Sequence, residues 1–299
     1  MEKVSFDADG VTLAGLLFRP DDATGDLPAV VVAGAWTTVK EQMAGLYAQR
    51  LADHGFVTLA FDFTGYGESG GEPRDTESPS RKATDLHHAV SFLAGLDGVD
   101  PHRIGSLGIC AGAAFTAVHA ADDPRVRSLA LVAPGLQDAG LARMALGGEE
   151  SFQQHLVTGR AARAHYEQTG EVEYVTAVSD TDPGAAMFGP FTYYLDPARG
   201  AIPQYANRFA LMAWAEWLTF EPIPSADRIG VPVLIVHSES AAIPVGARRF
   251  AERLRGPHEF VWLPDRTQFD FYDQEPTVTE SVDHVARHLT ATMAAAVKA

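Results

Sequence analysis

The residue best placed for chemistry in this sequence is Cys110, the single cysteine among 299 residues. It lies in Gly108-Ile109-Cys110-Ala111-Gly112, between an apolar run and a segment of small residues. This spacing is typical of a nucleophile elbow, in which a strand turns sharply into a helix and exposes the middle side chain. Glycine suits both ends because a Cβ there would collide with neighbouring backbone. A lone cysteine is usually a buried structural thiol, but the flanking strand and helix favour an elbow.

The elements around this motif must place Cys110 at the edge of a sheet. Short apolar runs predict buried strands at 28–33, 56–61, 126–132, 232–236 and 259–263, with helical spacing between them. Two further strands, at 4–6 and 11–18, are joined as a hairpin. This alternation predicts an α/β fold with a mostly parallel central sheet flanked by helices. Such sheets bind ligands beyond the carboxyl ends of their strands, which is where Cys110 follows its own strand.

Residues 137–221 interrupt the alternation. Helical patterns cover 149–168 and 204–218, no buried strand is recognisable, and aromatic residues accumulate. We therefore predict a helical cap, or lid, at 137–221, inserted into a core formed by 1–136 and 222–299. Many of the cap aromatics are expected to form its own core, and those that face the sheet would line a water-poor pocket. The candidates for that pocket are Trp36, Phe188, Tyr194, Trp214 and Trp217.

Composition and charge limit the partners of this protein. The chain is 46% hydrophobic and 21% charged, which suits one large domain or one domain with a sizeable insertion. A formal net charge of -16 argues against nucleic acid and against anionic membrane surfaces. A single cysteine fits a reducing compartment, and neither a signal sequence nor a membrane-length apolar run is found. We expect a soluble cytoplasmic protein, with a homodimer left open.

The motifs together resemble those of the α/β-hydrolases. They are the GICAG elbow, the strand leading into Gly34-Ala35-Trp36, the turn FDFTGYGESGG at 61–71 and the segment DRTQFDFYD at 265–273. The most similar branch is the dienelactone-hydrolase-like and polyketide-transferase-like one with a helical cap, over nearly the whole chain. The resemblance implies an α/β-hydrolase fold with nucleophile, acid and histidine in that chain order. It also implies an oxyanion hole made by the backbone N–H of Ala111 with that of Ala35 or Trp36.

Two positions depart from the pattern of that family. Gln268 stands where the resemblance implies the histidine base, and Ala241 stands where it implies an aspartate. Glu239 and Asp138 remain as candidates for the acid, but an acid without a histidine to orient has little to do. The catalytic triad is therefore degraded.

Two histidines elsewhere could replace the missing base, and a third is interpreted as structural. His155 and His165 lie in the predicted cap and could face Cys110 from there. His237 ends a predicted strand and is interpreted as a packed residue. A base supplied by the cap stays an open alternative.

The missing histidine decides which reaction the site favours. A free thiol has a pKa of about 8.5, so Cys110 could be acylated. Release of the acyl group to water needs a general base, which accelerates such a step by about 10²- to 10⁴-fold. The retained parts are a pocket, two backbone N–H donors and the amide of Gln268. Holding the reacting groups of a substrate in the right orientation can by itself lower the activation barrier by about 7–11 kcal/mol. We predict an enzyme that performs a non-hydrolytic step, such as cyclisation or carbon–carbon bond formation, on a bulky aromatic or polyketide-like metabolite.

Two alternatives stay open. In the first, Cys110 is the nucleophile of a hydrolase or acyltransferase that acts on an ester, thioester or lactone with an unrecognised base. In the second, the protein is a non-catalytic module that binds a small hydrophobic metabolite. Covalent labelling of Cys110 by a substrate acyl group would favour the first alternative, whereas binding without product formation would favour the second.

The remaining histidines and glycines indicate neither a metal nor a cofactor. His87 and His88 are adjacent and would point about 100° apart on a helix. His284 and His288 have suitable i, i+4 spacing but no recognisable third ligand, so solvent-facing histidines are expected. No fingerprint for NAD, flavin or pyridoxal phosphate follows the first parallel strand.

Overall fold

The first part of the chain alternates strands with helices. The computed structural model describes residues 1–21 and 24–294. The elements are β1 (Glu2–Ala8), β2 (Val11–Phe18), β3 (Leu27–Ala33), α1 (Met43–Asp53), β4 (Val57–Phe61), α2 (Pro79–Ala94), β5 (Val99–Ile109), α3 (Ala111–Asp122) and β6 (Val126–Val132). Each strand and helix that the sequence predicts in this part is present, with bounds that shift by a few residues.

The middle part, residues 137–221, lies between two strands of the main sheet and is called the insertion below. It contains α4 (Ala139–Ala145), α5 (Glu149–Thr169), β7 (Tyr174–Thr176), β8 (Val178–Ser179), β9 (Met187–Phe188), α6 (Thr192–Leu195), β10 (Arg208–Ala210) and α7 (Trp214–Trp217), with a 3-10 turn at Leu211–Ala213. After it come a 3-10 turn (Ile223–Arg228), β11 (Val233–His237), α8 (Pro244–Arg253), β12 (His258–Trp262), α9 (Asp270–Asp273) and α10 (Thr277–Ala294).

Eight strands form one sheet in the order β1-β2-β4-β3-β5-β6-β11-β12. The strands from β4 to β12 in this order run parallel, while β2 is antiparallel to both of its neighbours. Helices α1 and α10 pack together on one face, and α2 and α3 pack together on the other. The predicted α/β-hydrolase fold is thereby confirmed. Among the described residues, no helix has the length and apolar character that would let it cross a membrane.

The central strands are buried because helices cover both faces of the sheet. All five residues of β4 are buried, as are all five of β11. This is why these strands appear in the sequence as continuous apolar runs instead of alternating ones. The parallel strands end together at one edge, and the insertion leaves the sheet between β6 and β11 at that edge.

The predicted helix at 204–218 is present only in its second half, as the 3-10 turn at Leu211–Ala213 and α7, and the insertion is mixed instead of purely helical. Asn207 adopts a positive φ of 47° and its side chain bonds to both backbone groups of Val178, at 2.8 and 3.0 Å. Strand β10 then pairs with β7 in an antiparallel ribbon. The spacing of the aromatic residues in this segment is that of a helical face, but the pairing of β10 with the distant strand β7 determines the structure of its first half.

Candidate active site

Cys110 lies on a sharp turn between β5 and α3. Its φ of 54° and ψ of -119° are strained for a residue with a side chain. A Cβ on Gly108 would lie 2.4 Å from the Cα of Ala113, and one on Gly112 would lie 2.4 Å from the carbonyl oxygen of Ala33. The two glycines therefore allow the strand, the turn and the helix to approach closely enough to form the elbow.

Four hydrogen-bonding groups surround the sulfur of Cys110. Desolvation in the enclosed site is the largest influence on the thiol and raises its pKa. Hydrogen bonds from the Tyr272 hydroxyl, from the backbone N–H groups of Ala111 and Trp36 and from Gln268 act in the opposite direction. The net effect is a neutral thiol, although Cys110 caps the N-terminus of α3.

Two backbone N–H groups converge beside the sulfur, as an oxyanion hole requires. They belong to Ala111, at the start of α3, and to Trp36, in the loop after β3. Ala35 lies next to Trp36, and its carbonyl accepts a hydrogen bond from the Thr38 hydroxyl at 2.7 Å. Of the two loop N–H groups that the sequence offers, the one hydrogen-bonded to the sulfur of Cys110 is that of Trp36.

Gln268 occupies the place of the missing histidine with each of its polar atoms engaged. Its side-chain oxygen accepts from the backbone N–H of Ala242 at 2.9 Å. Its amide nitrogen donates to the carbonyl of Ala133 at 3.1 Å and to the Tyr272 hydroxyl at 3.4 Å. The carboxamide thus connects the segments that follow β6, β11 and β12, and as a neutral amide it is not a base for a proton of the substrate.

Tyr272 is the residue of the site to which the sequence analysis assigned no role. Its hydroxyl is hydrogen-bonded to Cys110, Gln268 and Tyr194, and burial is the main reason that its pKa lies well above the usual value. The side chain is 1% exposed. The only signal in the sequence is its place four residues after Gln268, because its contact with Cys110 joins segments that are far apart in the chain.

A cavity of about 640 Å³ opens in front of Cys110. The insertion supplies most of its wall, and the lining side chains are largely apolar or aromatic. Of the candidate pocket residues, four line this cavity: Trp36, Phe188, Trp214 and Trp217. Tyr194 does not line it, because it is 3% exposed and packs edge-to-face against Tyr272 with ring centroids 6.3 Å apart. Tyr194 belongs to the layer behind the sulfur.

Comparison with known proteins gives the family. The model of the Dienelactone hydrolase family matches residues 13–138. The uncharacterized protein PA2218 of Pseudomonas aeruginosa is 35% identical over 89% of this chain and 74% of its own length. This chain is a dienelactone-hydrolase-like member of the α/β-hydrolase superfamily.

Further relatives place this α/β-hydrolase in the polyketide-transferase-like branch. The polyketide transferase claH of Penicillium crustosum is 28% identical over 92% of each chain. The crystal structure of the α/β hydrolase GrgF from Penicillium sp. sh18 superimposes with a TM-score of 0.84 at 25% identity, covering 98% of this chain and 99% of that one. Since the match covers nearly the whole chain, the likeness includes both the sheet and the insertion.

The two acid candidates of this α/β-hydrolase are engaged elsewhere. Asp138 caps α4 by accepting from the backbone N–H of Leu141 at 2.8 Å, and its other oxygen pairs with Arg249 at 2.6 Å. Glu239 is exposed and pairs with Arg248, which holds the pKa of Glu239 below its usual value. The structure therefore brings together Cys110 and Gln268 but leaves both acids in surface ion pairs.

His155, His165 and His237 have different surroundings in the structure. His155, on α5, lines the same cavity as Cys110. His165 lies on the same helix with its side chain 41% exposed and its Nε2 3.7 Å from Glu171. His237 is fully buried beside Trp262, with ring centroids 5.5 Å apart, and burial lowers its pKa to about 4. Only His155 shares a cavity with the elbow.

The structure shows a histidine cluster that the sequence does not reveal. Ligand atoms of His87, His119 and Asp123 lie within 4.8 Å of one another. The guanidinium of Arg125 bonds to Asp123 and lies 3.0 Å from the Nδ1 of His87, so a cation already fills this position. His288 is buried, which corrects the expectation of a solvent-facing side chain.

Proposed function

We propose that this protein catalyses a non-hydrolytic step on a bulky, polyketide-like metabolite: cyclisation or carbon–carbon bond formation by intramolecular addition. The observation that carries the proposal is the contrast between Cys110 and Gln268. The elbow and two N–H donors are retained, whereas the base position holds an amide whose atoms are all hydrogen-bonded. A glutamine cannot take a proton from water, so the position beside the sulfur that would hold the general base for hydrolysis has none.

The proposed reaction uses the oxyanion hole without consuming water. A substrate carbonyl oxygen lies between the N–H groups of Ala111 and Trp36. A carbon elsewhere in the same molecule loses a proton and attacks the carbonyl carbon, the π electrons of the carbonyl move to oxygen, and the oxygen receives a proton. The product is an isomer of the substrate, so no co-reactant is needed. The insertion, acting as the cap, holds the folded substrate, and orientation of this kind supplies about 7–11 kcal/mol of a barrier.

Acyl transfer through Cys110 is the second candidate, and the strained elbow favours it. In this reaction the sulfur attacks a thioester or ester, and the leaving group departs with the thiol proton. A second bound nucleophile then attacks the acyl carbon, the carbon–sulfur bond breaks, and the proton of that nucleophile returns to the sulfur. The relative named a polyketide transferase is compatible with such chemistry. The raised pKa of Cys110 counts against it, because the thiolate is the attacking form.

Turnover of a panel of small esters and thioesters tests the proposal, with the wild type compared with Cys110→Ala and Gln268→His. We expect the wild type to show no sustained hydrolysis. We expect Gln268→His to hydrolyse the panel at least about tenfold faster, since a new imidazole beside Cys110 can activate water. Sustained hydrolysis by the wild type that disappears in Cys110→Ala would contradict the proposal.

Gln137→His is the matched control for the gain of hydrolysis. Gln137 also lines the cavity, but its amide nitrogen donates to the carbonyl of Trp217 at 2.7 Å instead of bonding near the sulfur. An imidazole there should leave hydrolysis unchanged. Equal gains in both variants would mean that any base in the cavity suffices and that the position of Gln268 has no special meaning.

A further inference from the structure

Intramolecular addition needs a base for the carbon that attacks, and the oxyanion hole does not provide one. Among the described residues that line the cavity, the ionisable side chains are those of Cys110 and His155. The thiol is kept neutral by desolvation and is itself a proton donor. His155 is therefore the group in the cavity wall that can accept a proton.

The hydrogen bonds of His155 fix which ring nitrogen is free. Its Nδ1 lies 2.7 Å from the backbone carbonyl oxygen of Ser151, one turn earlier in α5. A carbonyl only accepts, so Nδ1 carries the hydrogen and the neutral ring has its lone pair on Nε2. No described residue makes a hydrogen bond with that nitrogen, so its lone pair is free to accept a proton.

The ring of His155 is also held in place. It packs edge-to-face on Trp214, with centroids 4.8 Å apart and planes at 78°. Helix α5 lies close to this tryptophan, because a Cβ on Gly159 would come within 2.9 Å of the Trp214 Cβ. Trp214 in turn contacts Trp36, whose backbone N–H belongs to the oxyanion hole, with centroids 6.4 Å apart. The imidazole and the oxyanion hole thus face one cavity through a continuous aromatic wall.

We propose that Nε2 of His155 is the base that removes the proton from the attacking carbon of the substrate. This inference rests on the proposed function and names its missing proton acceptor. The carbon–hydrogen bond breaks and the proton moves to Nε2, and the resulting enolate carbon attacks the carbonyl held by Ala111 and Trp36. The new carbon–carbon bond forms as the carbonyl π electrons move to oxygen. The imidazolium proton then returns to that oxygen, so the atoms and charges balance without a co-reactant.

The chemistry of the cavity also limits the substrate. The wall around His155 and Cys110 carries no charged side chain among its described lining residues, and it is rich in aromatic rings. A substrate that reaches both groups is therefore an uncharged aromatic carbon acid with a carbonyl, of which a β-ketoester is the simplest example. A carboxylate or a phosphate on the buried part would find no cation to pair with.

Loss of deuterium from an aromatic β-ketoester labelled at its α-carbon tests this proposal directly, because the exchange needs a base but no ring closure. We expect the wild type to accelerate exchange above the buffer rate and His155→Gln to lose about 10²-fold or more of that acceleration. His165→Gln is the matched control, since His165 lies on the same helix but does not line the cavity. Imidazole added to His155→Ala should restore part of the exchange. The rate of Cys110 alkylation by iodoacetamide checks that each variant is folded.

The outcomes separate this inference from the proposed function. Exchange in His155→Gln equal to that of the wild type would overturn the role of His155 while leaving cyclisation possible. Sustained ester hydrolysis by the wild type that is lost in His155→Gln would support His155 as the base and overturn the non-hydrolytic function. A wild type that does not accelerate exchange at all would count against both.

Discussion

The chemistry of single residues in this site depends on Tyr272 as much as on Cys110. The Tyr272 hydroxyl receives a hydrogen bond from Gln268 at 3.4 Å and is hydrogen-bonded to the sulfur. A buried phenol with a raised pKa stays protonated, so it donates to the thiol and cannot deprotonate it. Gln268 is therefore interpreted as the residue that orients Tyr272, a different task from that of a triad histidine.

Tyr272→Phe should slow alkylation of Cys110. The lost hydrogen bond favours the thiolate, so its removal raises the pKa of Cys110 further and lowers the thiolate fraction at neutral pH. A hydrogen bond to a charged group is worth about 1.5 kcal/mol, which corresponds to about a tenfold slower reaction with iodoacetamide at fixed pH. Because the pKa of Cys110 rises, the midpoint of the curve of alkylation rate against pH should also move to higher pH.

Tyr193→Phe is the control for this experiment. Its ring packs on that of Tyr272 with centroids 5.0 Å apart, yet the hydrogen bonds around Cys110 do not include Tyr193. Tyr193→Phe therefore removes a neighbouring buried hydroxyl and should leave the rate of Cys110 alkylation unchanged. An equal loss in both variants would show that packing, and not the hydrogen bond of Tyr272, controls the thiol.

At the scale of elements, the loop after β3 is held in a strained shape by buried polar groups. Thr37 has a φ of 60°, which is unusual for a β-branched residue. Its backbone N–H donates to the buried carboxylate of Glu77 at 3.1 Å, and that carboxylate also binds Tyr66 at 2.9 Å and Lys82 at 2.6 Å. Strain of this kind persists only where surrounding contacts fix it, so Glu77 is a positioning residue for the N–H of Trp36.

Replacing this buried pair should weaken the oxyanion hole without closing the cavity. We expect Glu77→Gln combined with Lys82→Met, which leaves no unpaired buried charge, to bind an aryl aldehyde as a Cys110 hemithioacetal about tenfold more weakly. Alkylation by iodoacetamide forms no oxyanion and should change by less than about threefold. Aldehyde affinity is measured as protection of Cys110 from iodoacetamide.

Asp85→Asn is the matched control for the loop. Asp85 is another buried carboxylate, but it holds the backbone N–H and the hydroxyl of Thr64, at 2.7 and 2.8 Å, instead of the loop after β3. It should lower stability while leaving the ratio of aldehyde binding to alkylation unchanged. The same ratio in the Glu77 variant and the wild type would contradict a positioning role for Glu77.

The elements of the core could be predicted because burial leaves a local signal, whereas in the insertion the helical spacing at 149–168 located α5 but the short strands left no such signal. Strands such as β4 and β11 are apolar throughout because helices cover them on both sides. Strand β10 depends on Asn207 bonding to Val178, a contact between residues 29 apart that no local pattern reports. The pairing of Tyr272 with Cys110 and the place of His155 in the cavity are likewise contacts between distant segments.

At the scale of the whole molecule, the edge of the sheet carries the elbow and the insertion forms most of the cavity wall. The nucleophile, the two N–H donors and Gln268 all follow core strands, whereas His155 and three of the four aromatic candidates that line the cavity come from the insertion. On the proposed function, the reaction changes while the core is kept, because a base is lost from the core and another is offered by the insertion.

The core also contains a buried histidine that should make the stability of the whole molecule depend on pH. His237, at the end of β11, is fully buried, and desolvation lowers its pKa from 6.5 to about 4. The nearby Arg248 lowers it further and Glu239 opposes that effect. Because the unfolded chain binds this proton first, the folded state is favoured most above pH 6.5 and loses stability as the pH falls toward 4.

Urea unfolding at about pH 7 and at about pH 4.5 measures this effect. We expect the wild type to lose about 2–3 kcal/mol more than His237→Leu between the two conditions, since one pKa unit is worth about 1.4 kcal/mol. His258→Leu, in which an exposed histidine of the neighbouring strand is replaced, should keep the slope of the wild type. Equal slopes in the wild type and His237→Leu would mean that water reaches the imidazole at the end of β11, and the sheet edge next to Gln268 would then be less closed than its packing indicates.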